Sequence, residues 1–374
     1  MKNKLTIQIG LALLTCFPAF AEVTATVESG FDDNPFRLSE QFNDNEGGFF
    51  DSELRFRQGL GNGFRVDARA RYLAYTGTEE DADRFIYSAL LEYENDTNWF
   101  GKKVDYSLRG RVNGIERTFV SRSTGQVGVF SGQEIGNRFN YVSFDGRARA
   151  DVALNPKTRL RLQLDSRVRR YDDLTDLGLS NLNYNQVYGR GIVRYRPNDD
   201  HELNFGAAVG QRNHLNRLGR ALDGTFVPDS NLNFTFFEAE ARWKYEFIEG
   251  HDVQLSYDYR SRSDSVSGYF GTNLHRAGLR YRYRPNRDNR FTARFEYGDL
   301  DFVNIPAEAI INNEENVGPN NGFTIAGSYS RRLSKGETHD LWLDIGVSYD
   351  DYESLNTNFT FDRLLARAGL TFQF

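Results

Sequence analysis

The stretch at 278–286 reads GLRYRYRPN, with arginine at every second position and Leu279, Tyr281 and Tyr283 between. Side chains of a β-strand point alternately to opposite faces. This segment therefore predicts a stave with one apolar face and one face of Arg280, Arg282 and Arg284. The period of two runs through the chain. Phe50, Ser52, Leu54 and Phe56 alternate with Asp51, Glu53, Arg55 and Arg57. Phe64 to Tyr72 alternates with Arg65, Asp67, Arg69 and Arg71. Similar series run at 85–93, 104–109, 142–152, 160–164, 187–195, 203–209, 239–247, 253–259, 277–283, 291–297, 323–329, 341–349 and 366–374, after a weaker one at 23–30. The pattern predicts an all-β chain of about 16 strands, range 14–18, and an even strand number is what single-chain bacterial barrels have.

The connections alternate in length. Short ones are GNG at 61–63, NPKT at 155–158, RPNDDH at 196–201, IEGH at 248–251, RPNRDN at 284–289 and SKGETH at 334–339, with a somewhat longer one near 95–102. Long ones lie near 31–48, 113–140, 172–185, 212–233, 261–273, 299–321 and 351–361, with a shorter one near 76–83. Short periplasmic turns and long extracellular loops are the signature of a transmembrane antiparallel up-and-down β-barrel. No proline interrupts a predicted strand, as the hydrogen-bond ladder requires. Tyr195, Trp243, Tyr245, Tyr283 and Phe374 fall at the short-turn ends, and Tyr72, Tyr259, Tyr297 and Tyr349 at the long-loop ends, as two interfacial girdles would. The chain ends RAGLTFQF, an alternating strand with a terminal aromatic that fits recognition by the barrel-assembly machinery.

Composition adds to this picture. Mean hydropathy is −0.61 although aromatics make up 14% of the chain; a barrel with water on one face and lipid on the other has both properties. No later stretch is apolar for the ~18 residues a membrane helix needs. Residues 1–21 read as a signal peptide: Lys2 and Lys4, an apolar run to Phe20, and an Ala-Phe-Ala cleavage site. Residues 22–374 form the barrel, which places the protein in the outer membrane of a Gram-negative bacterium, against lipid and lipopolysaccharide. The one cysteine, Cys16, lies in the signal, so the barrel holds no disulfide, thiolate nucleophile or cysteine metal site. No cofactor, metal or nucleic acid is expected.

The net charge of −6 hides a division. Acidic clusters such as FDDN, EEDAD and NNEEN lie in the long loops, while the inner face is crowded with arginine. A barrel of this size encloses an aqueous channel. The residues singled out along it are Arg55, Arg69, Arg71, Arg109, Arg147, Arg149, Arg161, Arg167, Arg194, Arg280, Arg282 and Arg284. Paired with carboxylates across strands they would solvate and stiffen the wall. In excess they would draw anionic solutes, since arginine stays charged and binds carboxylate through a planar fork. Basic-walled channels for acidic sugars are an analogy of lining only. A plugged barrel, structural or serving exopolysaccharide export or secretion, is the alternative if loops 113–140, 212–233 and 299–321 fill the lumen. An enzyme ranks below both: His214 and His275 could meet a surface substrate, and neither has a Ser or Asp pattern beside it.

The segment VESGFDDNPFRLSE at 27–40 carries Gly30, Phe31, Asp32, Asn34, Phe36 and Arg37. It resembles the opening strand and first loop of outer-membrane β-barrel porins of the exopolysaccharide-associated type. The resemblance implies a barrel channel and assigns no catalytic residue.

Overall fold

In a computed structural model, residues 21–99, 101–305, 320–336 and 339–374 are described; the expected signal peptide at 1–21 lies outside them apart from Ala21. The staves are β1 (Glu22–Asp32), β2 (Gly47–Gly61), β3 (Phe64–Thr76), β4 (Arg84–Trp99) and β5 (Lys102–Arg117). A two-residue hairpin, β6 (Val129–Phe130) and β7 (Gln133–Glu134), interrupts the loop that follows. Then come β8 (Tyr141–Asn155), β9 (Thr158–Tyr171), β10 (Tyr184–Tyr195), β11 (His201–His214), β12 (Asn233–Ile248) and β13 (His251–Asp264). The last are β14 (Thr272–Tyr283), β15 (Asn289–Phe302), β16 (Asn321–Lys335), β17 (Asp340–Glu353) and β18 (Phe361–Gln373). All but β6 and β7 join one closed antiparallel barrel of 16 staves. Each stave pairs with its neighbours in sequence, and β1 meets β18, with Thr24 opposite Gln373.

The register puts every alternating series on the expected side. Phe50, Leu91, Phe205, Leu279, Ile325 and Ile345 stand exposed on the outer surface, which is an apolar band only a bilayer can cover. Asp51, Glu92, Asp151 and Asp252 are buried on the inner face. The chain is an outer-membrane β-barrel. At the short-turn end His201 stacks with Trp243 and Tyr245, and His251 stacks with Tyr283 while its Nδ1 lies 2.7 Å from the Tyr281 hydroxyl. These rings belong to the inner girdle.

Turns follow local chemistry. Asn62 and Gly63 both have positive φ, 51° and 82°, as the two-residue turn matching strand twist demands. A Cβ on Gly63 would stand 2.1 Å from the Glu94 carbonyl oxygen. Four register shifts, at 59–61, 153–155, 246–248 and 332–334, sit beside short turns, where a bulge bends a strand out of its pairing at least cost.

The staves overrun the apolar series at both ends. The connection expected near 95–102 is shorter than expected: β4 continues through Asn95–Trp99, which pairs in register with Lys102–Tyr106 of β5. The outward Asn95 and Thr97 are polar because the strand has left the hydrocarbon, so alternation fades while pairing continues. The long loops shrink for the same reason. Arg212 and Arg262, at the edges of expected loops, belong to β11 and β13.

Candidate functional site

The lumen wall is a lattice of ion pairs. Arg55 donates to Asp67 at 3.1 Å, Arg71 Nε to Asp51 at 2.9 Å, and Arg69 to Glu53. Glu92, buried on β4, accepts from Arg109 at 2.6 Å and from Arg65. Arg147 pairs with Asp165 at 2.6 Å, Arg167 with Asp145 at 2.7 Å, Arg161 with Asp151 at 2.8 Å, and Arg149 with Asp151. Arg194 meets Glu202 at 2.5 Å. Asp252 takes Arg282 at 2.7 Å and lies 3.9 Å from Arg284. Of the twelve arginines singled out from sequence, eleven therefore have a carboxylate. Arg280 does not; its guanidinium donates to Gln254 at 2.7 Å. Most of the sequence-chosen set stiffens the wall.

The arginines with no carboxylate in ion-pair range, among the described residues, form a different set. Arg280 lies directly opposite Arg294 in the β14–β15 register, and like charges so placed repel. Arg111 faces the lumen from β5 with no ion pair. Nearer the long-loop end, guanidinium groups and aromatic rings alternate from stave to stave. The Arg169 Cζ stands 3.9 Å from the Tyr141 ring centroid and 5.5 Å from that of Tyr184. Arg212 stands 4.4 Å from Tyr184 and 5.3 Å from Phe236. Arg262 stands 5.0 Å from Phe234. This belt crosses six staves, β8 to β13. Its guanidinium groups have neutral oxygen partners: the Tyr171 hydroxyl, the Gln186 amide and the Phe270 carbonyl. A guanidinium lying on a ring keeps N–H edges free for an anion.

Beside the belt a recess of about 350 Å³ opens on the lumen, lined by seven arginines, Arg109, Arg111, Arg147, Arg167, Arg190, Arg212 and Arg260, against three carboxylates, Asp145, Asp165 and Glu238. Arg111, Arg169 and Arg294 fall on the inner face by the same alternation but are not among the twelve singled out from sequence, and Arg212 and Arg262 lie beyond the alternating series. Carrying the strict alternation past the last apolar outward residue would have found both.

Loops from different staves meet at the outer mouth. Leu232, Phe234, Phe236, Tyr269, Phe270 and Ile305 form a buried apolar cluster, and Phe359 of the β17–β18 loop packs against it from another part of the rim. The 27–40 segment ties the first loop to the last stave. Asp32 accepts from Arg363 at 2.8 Å and from the Tyr75 hydroxyl at 2.9 Å. Asn34 donates to the carbonyls of Leu38 and Asp362 at 2.7 and 2.9 Å. The loop near 299–321 lies largely outside the described residues.

His214 is buried on the inner face between Tyr184 and Phe234. His275 is on the outer face, its Nδ1 2.7 Å from the Tyr257 hydroxyl. The two do not share a site. Among the described residues no three His, Cys, Asp or Glu side chains gather as a metal would require.

Fold and lining together define an outer-membrane β-barrel with a charged lumen face. No known family profile matches the sequence, and no curated protein resembles it. Among solved structures, the chain is similar to a bacterial polysaccharide outer membrane secretin at 11% identity and TM-score 0.45, over 95% of this chain and 98% of that one. It is similar to the outer membrane protein OprD from Pseudomonas aeruginosa at 12% identity and TM-score 0.47, over 96% and 94%. OccK5 (OpdH) from Pseudomonas aeruginosa follows at 12% and 0.45, over 96% and 98%. What the lumen passes has to come from its own residues.

Proposed function

We propose that the barrel is a passive channel for anionic solutes, with sugar acids and short acidic oligosaccharides as the class that suits it. The observation that carries this reading is the acid-free set, Arg111, Arg169, Arg212, Arg262, Arg280 and Arg294, on the lumen face. Paired arginines present little net field to a passing ion. Unpaired ones keep both their charge and their N–H edges, and a solute carboxylate is the partner that fits them. Successive exchange along the wall would move an acidic chain stepwise without a tight site. The belt rings give sugar C–H faces something flat to slide past. The test is the reversal potential of the purified barrel in a planar bilayer under a potassium chloride gradient. Anion preference that weakens at high salt is expected; cation preference overturns the reading.

A second reading is favoured by the loops meeting at the mouth, with Phe359 packed on the apolar cluster. A barrel closed there would serve structure, secretion or polysaccharide export. Steady conductance in the same bilayer counts against it. Outer-membrane lipid and lipopolysaccharide around the apolar band, and the assembly machinery at β18, complete the proposed partners.

A further inference from the structure

The loop between β5 and β8 runs along the outer rim over the neighbouring loops. Its Val127 N–H lies 3.3 Å from Glu80 Oε1 in the β3–β4 loop. Its Gly125 passes so close to the first loop that a Cβ would stand 2.8 Å from the Phe42 carbonyl oxygen. Its Arg122 reaches the β17–β18 connection, with Cζ 5.0 Å from the Phe359 ring centroid and 5.9 Å from that of Phe361. Arg37 comes to the same Phe361 ring from the first loop, its Cζ 5.8 Å from the centroid.

Neither guanidinium is satisfied by a carboxylate of its own. The charged neighbours of Arg122 are Arg37 and Arg117; burial, then those two cations, lower its pKa to about 10, so it is still charged at neutral pH. The nearest acid to Arg37 is Asp350, at 3.9 Å. That carboxylate already accepts from the Thr324 hydroxyl at 2.7 Å and lies 3.8 Å from Arg363. Arg37 is also held in place. It is a non-glycine residue at φ 58°, and its N–H donates to the Asn34 carbonyl at 3.1 Å inside the clasp formed by that segment. Two fixed cations thus converge on one ring with a share of one carboxylate between them. Stacking on the ring offsets part of their repulsion. A bound anion would remove it and use the free N–H edges of both forks.

We propose that Arg37 and Arg122, brought together over Phe361, form a carboxylate-binding station at the outer mouth that takes the acid group of a saccharide before it reaches the lumen. The station rests on the anion-channel reading above. It lies on loops, apart from the belt and the recess, so the two can be tested apart. It also gives the 27–40 segment a task beyond clasping the first loop to β18: it presents Arg37.

The experiment uses the full-length barrel in planar bilayers free of lipopolysaccharide. Galacturonate is added on the long-loop side, and the rate at which it interrupts single-channel current is measured. Arg122→Gln and Arg37→Gln are each expected to lower that rate at least fivefold. The reversal potential in potassium chloride should stay unchanged, because the wall arginines are intact. Arg122→Lys, which keeps charge and loses the fork, should fall between. Heat-modifiable gel mobility checks that each variant is folded. An unchanged rate in both glutamine variants overturns the proposal. So does a larger open-channel current in Arg122→Gln with the same interruption rate, which would make Arg122 a loop tie. A dependence on Arg122 seen only with lipopolysaccharide in the bilayer overturns it too, since the partner is then a lipid phosphate. A cation-selective wild type that still shows Arg122-dependent interruption keeps the station and removes the lumen reading.

Discussion

Two arcs of the lumen wall face each other and are built differently. From β8 to β14 the inner face is arginine and carboxylate, with the belt above. From β16 through β18 to β1 it carries a run of small and hydroxylic residues: Thr324, Ala326, Ser328, Ser330, Gly346, Ser348, Thr371 and Thr26. The arginines of the second arc, Arg332, Arg363 and Arg367, all have carboxylates. Its Asp344 has only hydroxyl donors, Ser330 at 2.6 Å and Thr371 at 2.9 Å. The contrast teaches that lumen charge count is a poor guide to what a wall does. Where arginine and carboxylate meet in register they lock each other; where arginine meets a ring or another arginine, it stays available. Guanidinium groups without a carboxylate then lie mostly on one side of the lumen, and the other side offers short hydroxyls that exchange with water.

The comparison can be broken most severely by moving one charge to the wrong face. Leu279→Arg puts a guanidinium in hydrocarbon at roughly 2–4 kcal/mol near the midplane. The inserted, heat-modifiable fraction should collapse. Ser328→Arg, on the lumen face of the hydroxyl arc, should insert normally and make that arc resemble its opposite. Equal insertion of the two would mean the faces are misassigned.

Next in size is Glu92→Gln. It leaves Arg65 and Arg109 around one neutral amide, at about 1–3 kcal/mol for the unsatisfied group. A lower urea midpoint is expected, together with stronger anion preference as two arginines are released. A midpoint within error of wild type would show that the lattice contributes nothing to stability.

Arg212→Glu with Arg262→Glu should leave folding intact and act on selectivity. A unit charge ~8 Å from an ion in water is worth about 0.5 kcal/mol. The double reversal amounts to roughly 2 kcal/mol before screening and under half of that at physiological salt. The anion-to-cation permeability ratio should fall roughly tenfold, because the cation gains what the anion loses. No change would remove the belt from the pathway. The smallest effect belongs to the other arc: Asp344→Asn should raise the ratio only about twofold, roughly 0.2 kcal/mol for each ion after screening. A larger rise would mean ions run along the hydroxyl side.

Sixteen staves and both faces of each were legible because side-chain direction in a strand needs no tertiary information. Leu279 and Tyr281 against Arg280 and Arg282 is enough. Legibility ended where the strand left the membrane. Asn95–Trp99, Arg212 and Arg262 continue the ladder with water on both sides, and hydrophobicity no longer marks the turn of the backbone. Pairing was illegible for another reason. Arg69 and Arg71 sit opposite Arg55 and Glu53 in register yet bond to Glu53 and Asp51, one step along the diagonal. Arg161 and Arg167, by contrast, bond the residues directly opposite, Asp151 and Asp145. Local twist decides between the two, and it is a property of the closed barrel. The clasp at Asp32 and Asn34 was visible as a segment but not as a joint, since its partners lie more than 320 residues away.

That distance has a consequence for how the molecule is made. The seam between β1 and β18 joins the first stave to the last, Val23 to Phe374 at its end. Until the final strand arrives, the growing sheet has two raw edges, each a row of open donors and acceptors ready to pair with any other strand. Closing the longest loop in the chain is also the slowest pairing to find by chance. A polypeptide that stops short of β18 is thus a sticky open sheet rather than a slightly smaller channel. The cell has to shelter those edges for the whole interval between the first stave and the last.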